Sequence, residues 1–332
     1  MSKKVAILTS GGDAPGMNAC IRATVFACEQ FGYQVIGYLH GYNGLLKQQY
    51  KNLHAPDMHN LIQRGGTILH SARCLEFKTV ESAKLAAKNL DELDIEALVV
   101  IGGDGSFRGA KHLSQYWNGQ VIGLPGTIDN DIYGTDATIG YFTAIETAVS
   151  SIDKVRDTAD AFERIFLVEV MGRHAGFIAL NAAVASASDH VVVPELFNDP
   201  ETAINQMLAE LQFRREHHGS ISYIVVIAEN VWPDGLPKLA EELESRTGSE
   251  VRPVILGHVQ RGGSPVPQDR ILASKLGVYA AKAIHLGKTG IMIGEQNGKA
   301  VEVPLEQTWS KRKPLEPFCV DAMQLLVNAT TD

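Results

Sequence analysis

Residues 97–106 read ALVVIGGDGS, an apolar run that passes directly into a glycine-rich turn. The same succession occurs at residues 5–16, VAILTSGGDAPG, and at residues 121–131, VIGLPGTIDND. Runs that are apolar throughout are typical of strands covered on both faces, as in parallel sheets. Because open parallel sheets bind ligands at the carboxyl ends of their strands, the three turns are the first candidates for a functional site.

The rest of the chain continues this alternation of short strands and helical stretches. Clear strands are predicted at residues 5–8, 97–101, 121–124, 165–170, 223–228 and 291–293. Such alternation predicts an α/β fold with mostly parallel sheets. A chain of 332 residues is too long for one small core, so one large or two medium domains are expected. The sequence has no low-complexity tract or charged linker, which favours interwoven domains over tethered ones.

Composition narrows the class of protein. Hydrophobic residues make up 45% and charged residues 20%, and no apolar run approaches the roughly 20 residues that a membrane span needs. The net charge of -8 disfavours a broad nucleic-acid surface, which requires clustered Lys and Arg. The N-terminal stretch lacks the cleavage site of a signal peptide, so a cytoplasmic protein is expected. The four cysteines have no CxxC spacing and predict neither a disulfide framework nor a zinc site.

The first turn, residues 9–18, combines Gly11, Gly12 and Gly16 with the start of a predicted helix. Glycines let backbone N–H groups approach an anion closely, and a helix N-terminus adds a favourable dipole. Glycine turns between strand and helix are also common where nothing binds. The turn matches neither the G-x-G-x-x-G pattern nor the Walker pattern. The residues therefore leave open whether it binds an anion or only connects the strand to the helix.

Carboxylates distinguish the other two turns. Asp104 follows Gly103 and suits Mg²⁺ on a nucleotide, which takes one or two carboxylates and keeps several waters, but an Asp here could equally cap the next helix. Asp129 and Asp131 are two residues apart, so an extended segment would direct both to one side. One could accept a hydroxyl proton while the other lies near magnesium, whereas two Asp residues in a solvated loop need no function.

Five segments in a fixed order resemble the bacterial-type ATP-dependent 6-phosphofructokinases along nearly the whole chain. They are residues 9–18, 102–106, 125–131, 168–173 (VEVMGR) and 256–265 (LGHVQRGGSP). NAD kinases and diacylglycerol kinases resemble only the Gly-Gly-Asp-Gly turn, so they do not account for the other four segments. The resemblance implies transfer of the terminal phosphate of ATP to the 1-hydroxyl of fructose 6-phosphate, with ATP and Mg²⁺ as cofactors.

The resemblance also implies two interlocked Rossmann-like domains, each with three layers. An ATP-binding domain would comprise residues 1–140 plus 260–310, and a sugar-phosphate-binding domain residues 141–259 plus 311–332. Members of the family are usually homotetramers with sugar-phosphate sites shared across an interface, so self-association is expected.

Roles carry over from the motif positions. The resemblance implies that Asp129 is the general base, that Thr127 and Asp131 flank the transferring phosphate, and that Arg173 opposes the developing charge, with the Gly12 backbone contributing to catalysis. The implied nucleotide contacts are Gly12, Tyr42, Arg73, Cys74, Gly103, Asp104, Gly105 and Ser106, with Asp104 coordinating magnesium. The implied sugar-phosphate contacts are Thr127, Asp129, Arg164, Met171, Gly172, Arg173, Glu229, Arg252, His258 and Arg261, with Arg164 and Arg252 donated by a neighbouring subunit.

Two glycines bear on the phosphate donor. Gly105 and Gly126 occupy positions where pyrophosphate-using relatives typically carry Asp and Lys, so their absent side chains favour ATP and leave pyrophosphate as the alternative donor. A catalytically silent sugar-phosphate or nucleotide-binding regulator is a further alternative, since a fold does not fix a function. The presence of Asp104, Asp129, Asp131 and Arg173 argues against it.

A second cleft, which in the resembled family binds nucleotide diphosphate or phosphoenolpyruvate, is only partly matched. Arg22 and Arg156 fit its cation cluster, and Asp189 stands where the family has Glu. Phe26 replaces a second Arg one helical turn after Arg22, and Ser220 stands where a Lys is expected. The sequence therefore predicts weak, absent or altered regulation through this cleft.

Overall fold

The computed structural model describes residues 3–218 and 222–327. Within these ranges there are eleven strands: β1 (Lys4–Ser10), β2 (Gln34–Tyr38), β3 (Tyr50–Leu53), β4 (Ile95–Gly102), β5 (Gln120–Pro125), β6 (Ile165–Val170), β7 (His190–Val192), β8 (Tyr223–Ala228), β9 (Val251–Ile255), β10 (Ile291–Gln296) and β11 (Lys299–Pro304). The same ranges contain eleven α-helices: α1 (Met17–Gln30), α2 (Tyr42–Leu46), α3 (Val80–Glu92), α4 (Asp104–Leu113), α5 (Tyr141–Phe162), α6 (Phe177–Ala185), α7 (Pro200–His218), α8 (Leu236–Thr247), α9 (Pro267–His285), α10 (Gln307–Ser310) and α11 (Pro317–Val327).

The chain divides into two compact units, each built from three separate stretches. The first unit comprises residues 1–128, 132–143 and 261–313, and the second comprises residues 129–131, 144–260 and 314–332. The sequence-based division placed residues 129–131 in the first domain, whereas their contacts group them with the second unit.

The first unit contains a seven-stranded sheet in the order β11-β10-β5-β4-β1-β2-β3. Its central pairs are parallel, and β2 with β3 and β10 with β11 are antiparallel pairs at the two edges. Strand β4 is buried at all but one position, as expected for a strand covered on both faces. A core cluster that includes Tyr38, Phe107 and Trp117 packs on one face of this sheet.

The second unit contains a four-stranded, fully parallel sheet in the order β7-β8-β6-β9. Every residue of β8 is buried, and a core cluster that includes Met207, Tyr223 and Trp232 covers the sheet. The predicted α/β class with mostly parallel sheets is confirmed, and each of the six predicted strands is present.

Two of the strands that the sequence pattern missed, β3 and β9, are largely exposed. β3 is exposed at three of its four positions, and β9 carries Pro253 within an exposed edge strand. Neither segment has the apolar run or strict alternation on which a sequence-based assignment rests. No helix in the described part of the chain is both long and apolar enough to span a membrane.

Candidate active site

Three adjacent strands of the first unit end in the same row. Ser10 at the end of β1 pairs with Gly102 of β4, and Gly102 pairs with Pro125 of β5. The three turns identified in the sequence therefore start side by side at one sheet edge, where open parallel sheets bind ligands. The Ser106 hydroxyl ties two of them together by donating a hydrogen bond to the Ser10 carbonyl at 3.1 Å.

The first turn leads into α1 with little space for side chains. Gly11 and Gly16 have φ values of 88° and 110°, a region that glycine adopts without strain. A Cβ atom on Gly12 would press against the Arg261 guanidinium, whose Nη1 donates to the Asp13 carbonyl at 3.2 Å. Arg261, predicted from the resemblance to contact the sugar phosphate, thus lies beside the first glycine turn within the same unit.

Asp104 is the first residue of α4, and Gly103 occupies its cap position. The capping role that the sequence left open for Asp104 is therefore held by a glycine. The Asp104 side chain is 31% exposed, and its Oδ2 lies 3.8 Å from Nε of Arg108. Gly105 has open space where a Cβ atom would stand, so this turn can present its backbone and one carboxylate to a ligand.

Tyr42 supports the second turn from inside the core. Its side chain is 3% exposed and its hydroxyl donates to the Ser106 carbonyl at 2.6 Å. Its ring stacks on Phe77 with centroids 4.1 Å apart. Burial raises the pKa of the Tyr42 hydroxyl far above its usual value, so the group stays a neutral donor. Tyr42 is thus positioned to hold the turn rather than to present its ring to solvent.

Arg73 and Cys74, the other predicted nucleotide contacts, precede the 3-10 turn Leu75–Lys78. Arg73 is exposed and Cys74 is partly buried, and burial raises the pKa of the Cys74 thiol. Nearby, the Ser71 hydroxyl donates to the Gly11 carbonyl at 2.7 Å. This hydrogen bond brings the chain around Arg73 close to the first glycine turn.

Hydrogen bonds to its backbone hold the third turn in place. The Gly126 N–H donates to the Gly102 carbonyl at 3.0 Å, and the Thr138 hydroxyl donates to the Thr127 carbonyl at 2.6 Å. A Cβ atom on Gly126 would meet Ile101 and Met17, so the space at this glycine is filled by the core. A side chain at position 126, where the sequence analysis took the glycine as a mark of the phosphate donor, would therefore have to displace these core residues.

Asp129 and Asp131 do not lie on an extended segment. Asn130 between them has φ 54°, in the left-handed region, so the geometry that predicted both carboxylates on one side is wrong. Asp129 is 6% exposed and Asp131 is partly exposed. The two carboxylates therefore have different environments, which suits a division of roles.

In the second unit, the loop after β6 carries Met171, Gly172 and Arg173 on a tight left-handed path. Gly172 has φ 147° and Arg173 has φ 62°, which is uncommon for a residue with a side chain. Oε1 of Glu229 accepts the N–H groups of Gly172 and Arg173 at 3.2 and 2.7 Å. The predicted sugar-phosphate residues Glu229, Gly172 and Arg173 are thus brought together by direct contacts.

Two residues that sequence reasoning missed hold the same loop. The Asn230 side-chain amide donates to the Arg173 carbonyl at 3.1 Å. The Gly176 N–H donates to both carboxylate oxygens of Glu195, each at 3.0 Å. Val193 packs so closely on Gly176 that a Cβ atom there would collide with it. The one sequence signal for Asn230 was its position directly after Glu229.

Glu169, on β6, was also not singled out by the sequence. Burial and the neighbouring Glu229 carboxylate both raise the pKa of Glu169, burial having the larger effect. Its backbone carbonyl accepts the Leu256 N–H at 3.1 Å, which fixes the start of the segment that carries His258. His258 itself is exposed.

Arg164 and Arg252, predicted to act together, do lie together. Both guanidinium groups form ion pairs with Glu250, and Arg252 stands on the edge strand β9. Arg164 also lies over the Phe162 ring at 4.3 Å, and Phe162 is 62% exposed. One carboxylate, that of Glu250, thus holds the two arginines together in the second unit.

The residues of the partly matched second cleft are engaged locally. Arg22 lies 4.7 Å from the ring of Phe26, and Arg156 donates to the Ser186 and Ala187 carbonyls. Asp189 is buried, forms an ion pair with Arg214 and accepts the Ile224 N–H at 2.7 Å. Burial raises the pKa of Asp189, and Arg214 opposes that rise. Ser220, the other position named for this cleft, lies outside the described residues.

Residues 3–218 and 222–327 contain no cluster of three or more His, Cys, Asp or Glu residues that could hold a metal ion by protein ligands alone. Mg²⁺ on a nucleotide needs only one or two carboxylates, because phosphate oxygens and water supply the rest. The partly exposed Asp104 fits that requirement.

Comparison with known proteins places these features in a family. The phosphofructokinase family model matches residues 4–284. ATP-dependent 6-phosphofructokinase 1 of Thermus thermophilus is 46% identical over 324 residues, covering 98% of this chain and 99% of that protein. ATP-dependent 6-phosphofructokinase 2 of Bacteroides thetaiotaomicron is 46% identical over 327 residues, covering 98% of each.

Solved structures agree on the fold. The phosphofructokinase of Saccharomyces cerevisiae superposes with a TM-score of 0.87 at 34% identity, over 98% of this chain and 46% of that longer chain. The pyrophosphate-dependent phosphofructokinase of Marinobacter aquaeolei has a TM-score of 0.83 at 22% identity, covering 98% of this chain and 91% of that one. The second likeness concerns the fold alone.

Proposed function

The chain belongs to the phosphofructokinase family, and on that premise we propose that it transfers the γ-phosphate of ATP to the 1-hydroxyl of fructose 6-phosphate. The products are fructose 1,6-bisphosphate and ADP. The observation that carries the proposal is the 46% identity, over 98% of the chain, to relatives named ATP-dependent 6-phosphofructokinase. Both relatives are named ATP-dependent, which supports ATP over pyrophosphate as the donor.

Asp129 is the proposed general base, since a carboxylate can accept the proton of the attacking hydroxyl. Thr127 and Asp131 are proposed to flank the transferring phosphate, and Arg173 to oppose the charge that develops on it. Phosphoryl transfer passes through a loose transition state with charge spread over the equatorial oxygens. Positioned cations and N–H groups therefore contribute more than the base alone, and the missing Walker lysine is no objection.

The nucleotide phosphates are proposed to lie against the backbone of Gly12, Gly103, Gly105 and Ser106. The support is the shared row in which β1, β4 and β5 end and the open space at Gly105. Asp104 would hold Mg²⁺ on the nucleotide. The bound ion would neutralise phosphate charge, and Asp104 would orient it from the first turn of α4.

The sugar phosphate is proposed to contact Met171, Gly172, Arg173, Glu229, Arg252, His258 and Arg261. Arg presents a planar fork to a phosphate, and a chain with net charge -8 needs such local cations to bind an anionic substrate. The support in the second unit is the direct contact between Glu229 and the Gly172–Arg173 backbone.

We also propose that the protein self-associates, as a homotetramer in which Arg164 and Arg252 serve a neighbouring subunit. Both arginines gather at Glu250, and Arg164 lies over the exposed ring of Phe162. Light scattering coupled to size exclusion tests this: a mass near that of four chains is expected, and a monomer would contradict it. A cytoplasmic location is the setting proposed for this activity.

The central experiment mixes purified protein with ATP, Mg²⁺ and fructose 6-phosphate and follows ADP formation through a coupled assay. Turnover that requires all three components is the expected result. A parallel reaction with pyrophosphate instead of ATP should give little product. Turnover with pyrophosphate and none with ATP would reverse the donor assignment, and no turnover with either would favour a silent binding protein.

A further inference from the structure

Asp269 is a buried carboxylate that has no part in the catalytic and binding roles proposed so far. It lies in the first turn of α9 and is 0% exposed. The groups that stabilise its charge are neutral N–H and O–H donors, and burial, the largest influence, raises its pKa. Burying a charged carboxylate costs free energy unless hydrogen-bond donors surround it. The donors around Asp269 must therefore keep fixed positions relative to its two oxygens.

The donors to Asp269 come from the start of α5. Oδ1 accepts the Gly140 N–H at 2.8 Å, and Oδ2 accepts the N–H and the hydroxyl of Thr143 at 2.7 and 2.6 Å. Thr143 Oγ1 in turn accepts the Val266 N–H at 3.1 Å, just before α9 begins. N-terminal N–H groups of a helix have no partner within the helix, and this carboxylate supplies one for α5.

The segment held by Asp269 continues to the third turn. Ile139, next to Gly140, donates its N–H to the Pro125 carbonyl at 2.8 Å and forms a parallel bridge with Gly126. Thr138 is 0% exposed, and its hydroxyl donates to the Thr127 carbonyl at 2.6 Å. We call residues 138–140 the anchor strip, because they run along the backbone of residues 125–127.

The anchor strip also touches the first glycine turn. Gly140 has φ 100°, and a Cβ atom on it would collide with Ala14 and Pro15. A Cβ atom on Gly16 would likewise collide with Ile139. The strip therefore contacts two of the three turns, and Asp269 fixes one end of it.

We propose that Asp269 is a positioning residue for phosphoryl transfer, acting through the anchor strip, with the Thr138 hydroxyl as the contact that places Thr127. The proposal rests on the proposed function, in which Thr127 flanks the transferring phosphate. Misplacing a reacting group by about 1 Å through a remote mutation can cost roughly 100-fold in rate. Neither Asp269 nor Thr138 needs to touch substrate for such a loss to occur.

The test compares Asp269→Asn, Thr138→Val and Thr138→Ser with the wild-type protein. Asn presents an N–H₂ group where several donors converge, and Val removes the Thr138 hydroxyl at nearly constant volume. We expect kcat to fall about 10- to 100-fold in Asp269→Asn and Thr138→Val, with both KM values within about threefold, and Ser to restore most of kcat. The split between kcat and KM and the rescue by Ser are results that a general loss of stability would not produce.

Thr24→Val is the matched control. Thr24 is also 0% exposed, and its hydroxyl also donates to a backbone carbonyl, that of Cys20 at 2.9 Å, but within α1. It should leave kcat unchanged at a temperature well below all of the unfolding midpoints. If kcat were as low in Thr24→Val as in Thr138→Val, or at the wild-type level in Thr138→Val, the positioning role would be overturned. Should Asp269→Asn fail to fold, the Thr138 pair still decides.

Asp129→Asn, assayed in parallel, separates this proposal from the proposed function. If Asp129→Asn lost turnover while Thr138→Val kept it, the positioning role would be wrong and the proposed function would stand. If Asp129→Asn kept turnover, the role proposed for the base would fail instead. The comparison of Thr138→Val with Thr138→Ser would then still decide the positioning role.

Discussion

The glycine turns of the first unit and the loop of residues 171–176 in the second unit are held in place by different means. The turns follow three strands whose last residues are in register, so the sheet itself places their backbone. The loop after β6 depends instead on side chains, with Glu229, Asn230 and Glu195 bonding its backbone. We infer that the fold tolerates a small side chain at an open position of the second turn, such as Gly105, whereas the loop after β6 is sensitive to the loss of one amide or carboxylate.

The largest expected effect comes from replacing Asp129, the proposed general base. Asp129→Asn nearly preserves shape but removes the proton acceptor, a contribution typically worth about 10² to 10⁴ in rate. We expect kcat to fall by that factor while both substrates still bind, as measured by steady-state kinetics and by calorimetric titration of each substrate. A kcat within a few-fold of wild type would contradict the assignment.

A charge at the open glycine of the second turn tests the backbone-held region. Nothing lies within 4 Å of a Cβ atom on Gly105, so Gly105→Asp should fold normally. A carboxylate about 4 Å from the nucleotide phosphates costs roughly 1 to 4 kcal/mol per charge pair, so KM for ATP should rise by about 10-fold or more. Gly105→Ala, which adds the Cβ atom without a charge, is the control and should raise KM for ATP less than Gly105→Asp does. An unchanged ATP affinity in Gly105→Asp would remove this turn from the nucleotide site.

Loss of one amide tests the side-chain-held region. Asn230 has φ 63°, which glycine adopts without strain, so Asn230→Gly removes the side-chain amide and its hydrogen bond to the Arg173 carbonyl without straining the backbone. Such a bond contributes about 0.5 to 1.5 kcal/mol, so kcat/KM for fructose 6-phosphate should fall about 2- to 10-fold with KM for ATP unchanged. Asn230→Ala, which adds strain at positive φ, should lose more. Equal changes for both substrates would show that the loop does not act on the sugar phosphate alone.

The carboxylate beside Glu229 offers a stability test. Because burial and Glu229 raise the pKa of Glu169 above 4.5, the folded protein binds the proton more tightly than the unfolded chain. The charged Glu169 carboxylate destabilises the folded protein. This destabilisation is absent at pH values below the pKa that Glu169 has in the unfolded chain, and complete at pH values above its pKa in the folded protein. Glu169→Gln should therefore be more stable than wild type near pH 7, by at most about 1 kcal/mol, with the difference vanishing toward pH 4. Urea unfolding at several pH values measures this, and a gain that grew on acidification would contradict it.

The smallest effect is expected at the second cleft, where both Arg156 and Asp189 are engaged by neighbouring groups. Relative to the resembled family, this cleft lacks two cations, because Phe26 and Ser220 stand where Arg and Lys are expected. A hydrogen bond to a charged group contributes about 1.5 to 3 kcal/mol, so their absence should weaken effector binding by roughly 10² or more. We therefore expect about 1 mM ADP or phosphoenolpyruvate to shift fructose 6-phosphate half-saturation little. A large shift that Arg22→Ala abolished would show a working cleft.

The contrast between the two regions explains how far sequence reasoning reached. A glycine-rich turn after an apolar run is a local signal, so the three turns and the six clear strands were identified correctly. The extended geometry assumed for residues 129–131 was wrong, because the left-handed φ of Asn130 has no reliable sequence mark. Glu195 and Asp269 were missed, since each acts on backbone distant from it in sequence, at Gly176 and at Gly140 and Thr143.

By itself, the sequence was sufficient for the α/β class, the parallel strands and the family resemblance, because strand periodicity and glycine turns are encoded by neighbouring residues. Only the tertiary structure decided that Ser10, Gly102 and Pro125 share one row and that Tyr42 supports the Ser106 turn from the core. It also decided that a buried carboxylate on α9 anchors the strip along Thr127. These arrangements depend on hydrogen bonds between groups as far as 129 residues apart in the chain, whose partners become neighbours only when the chain has folded.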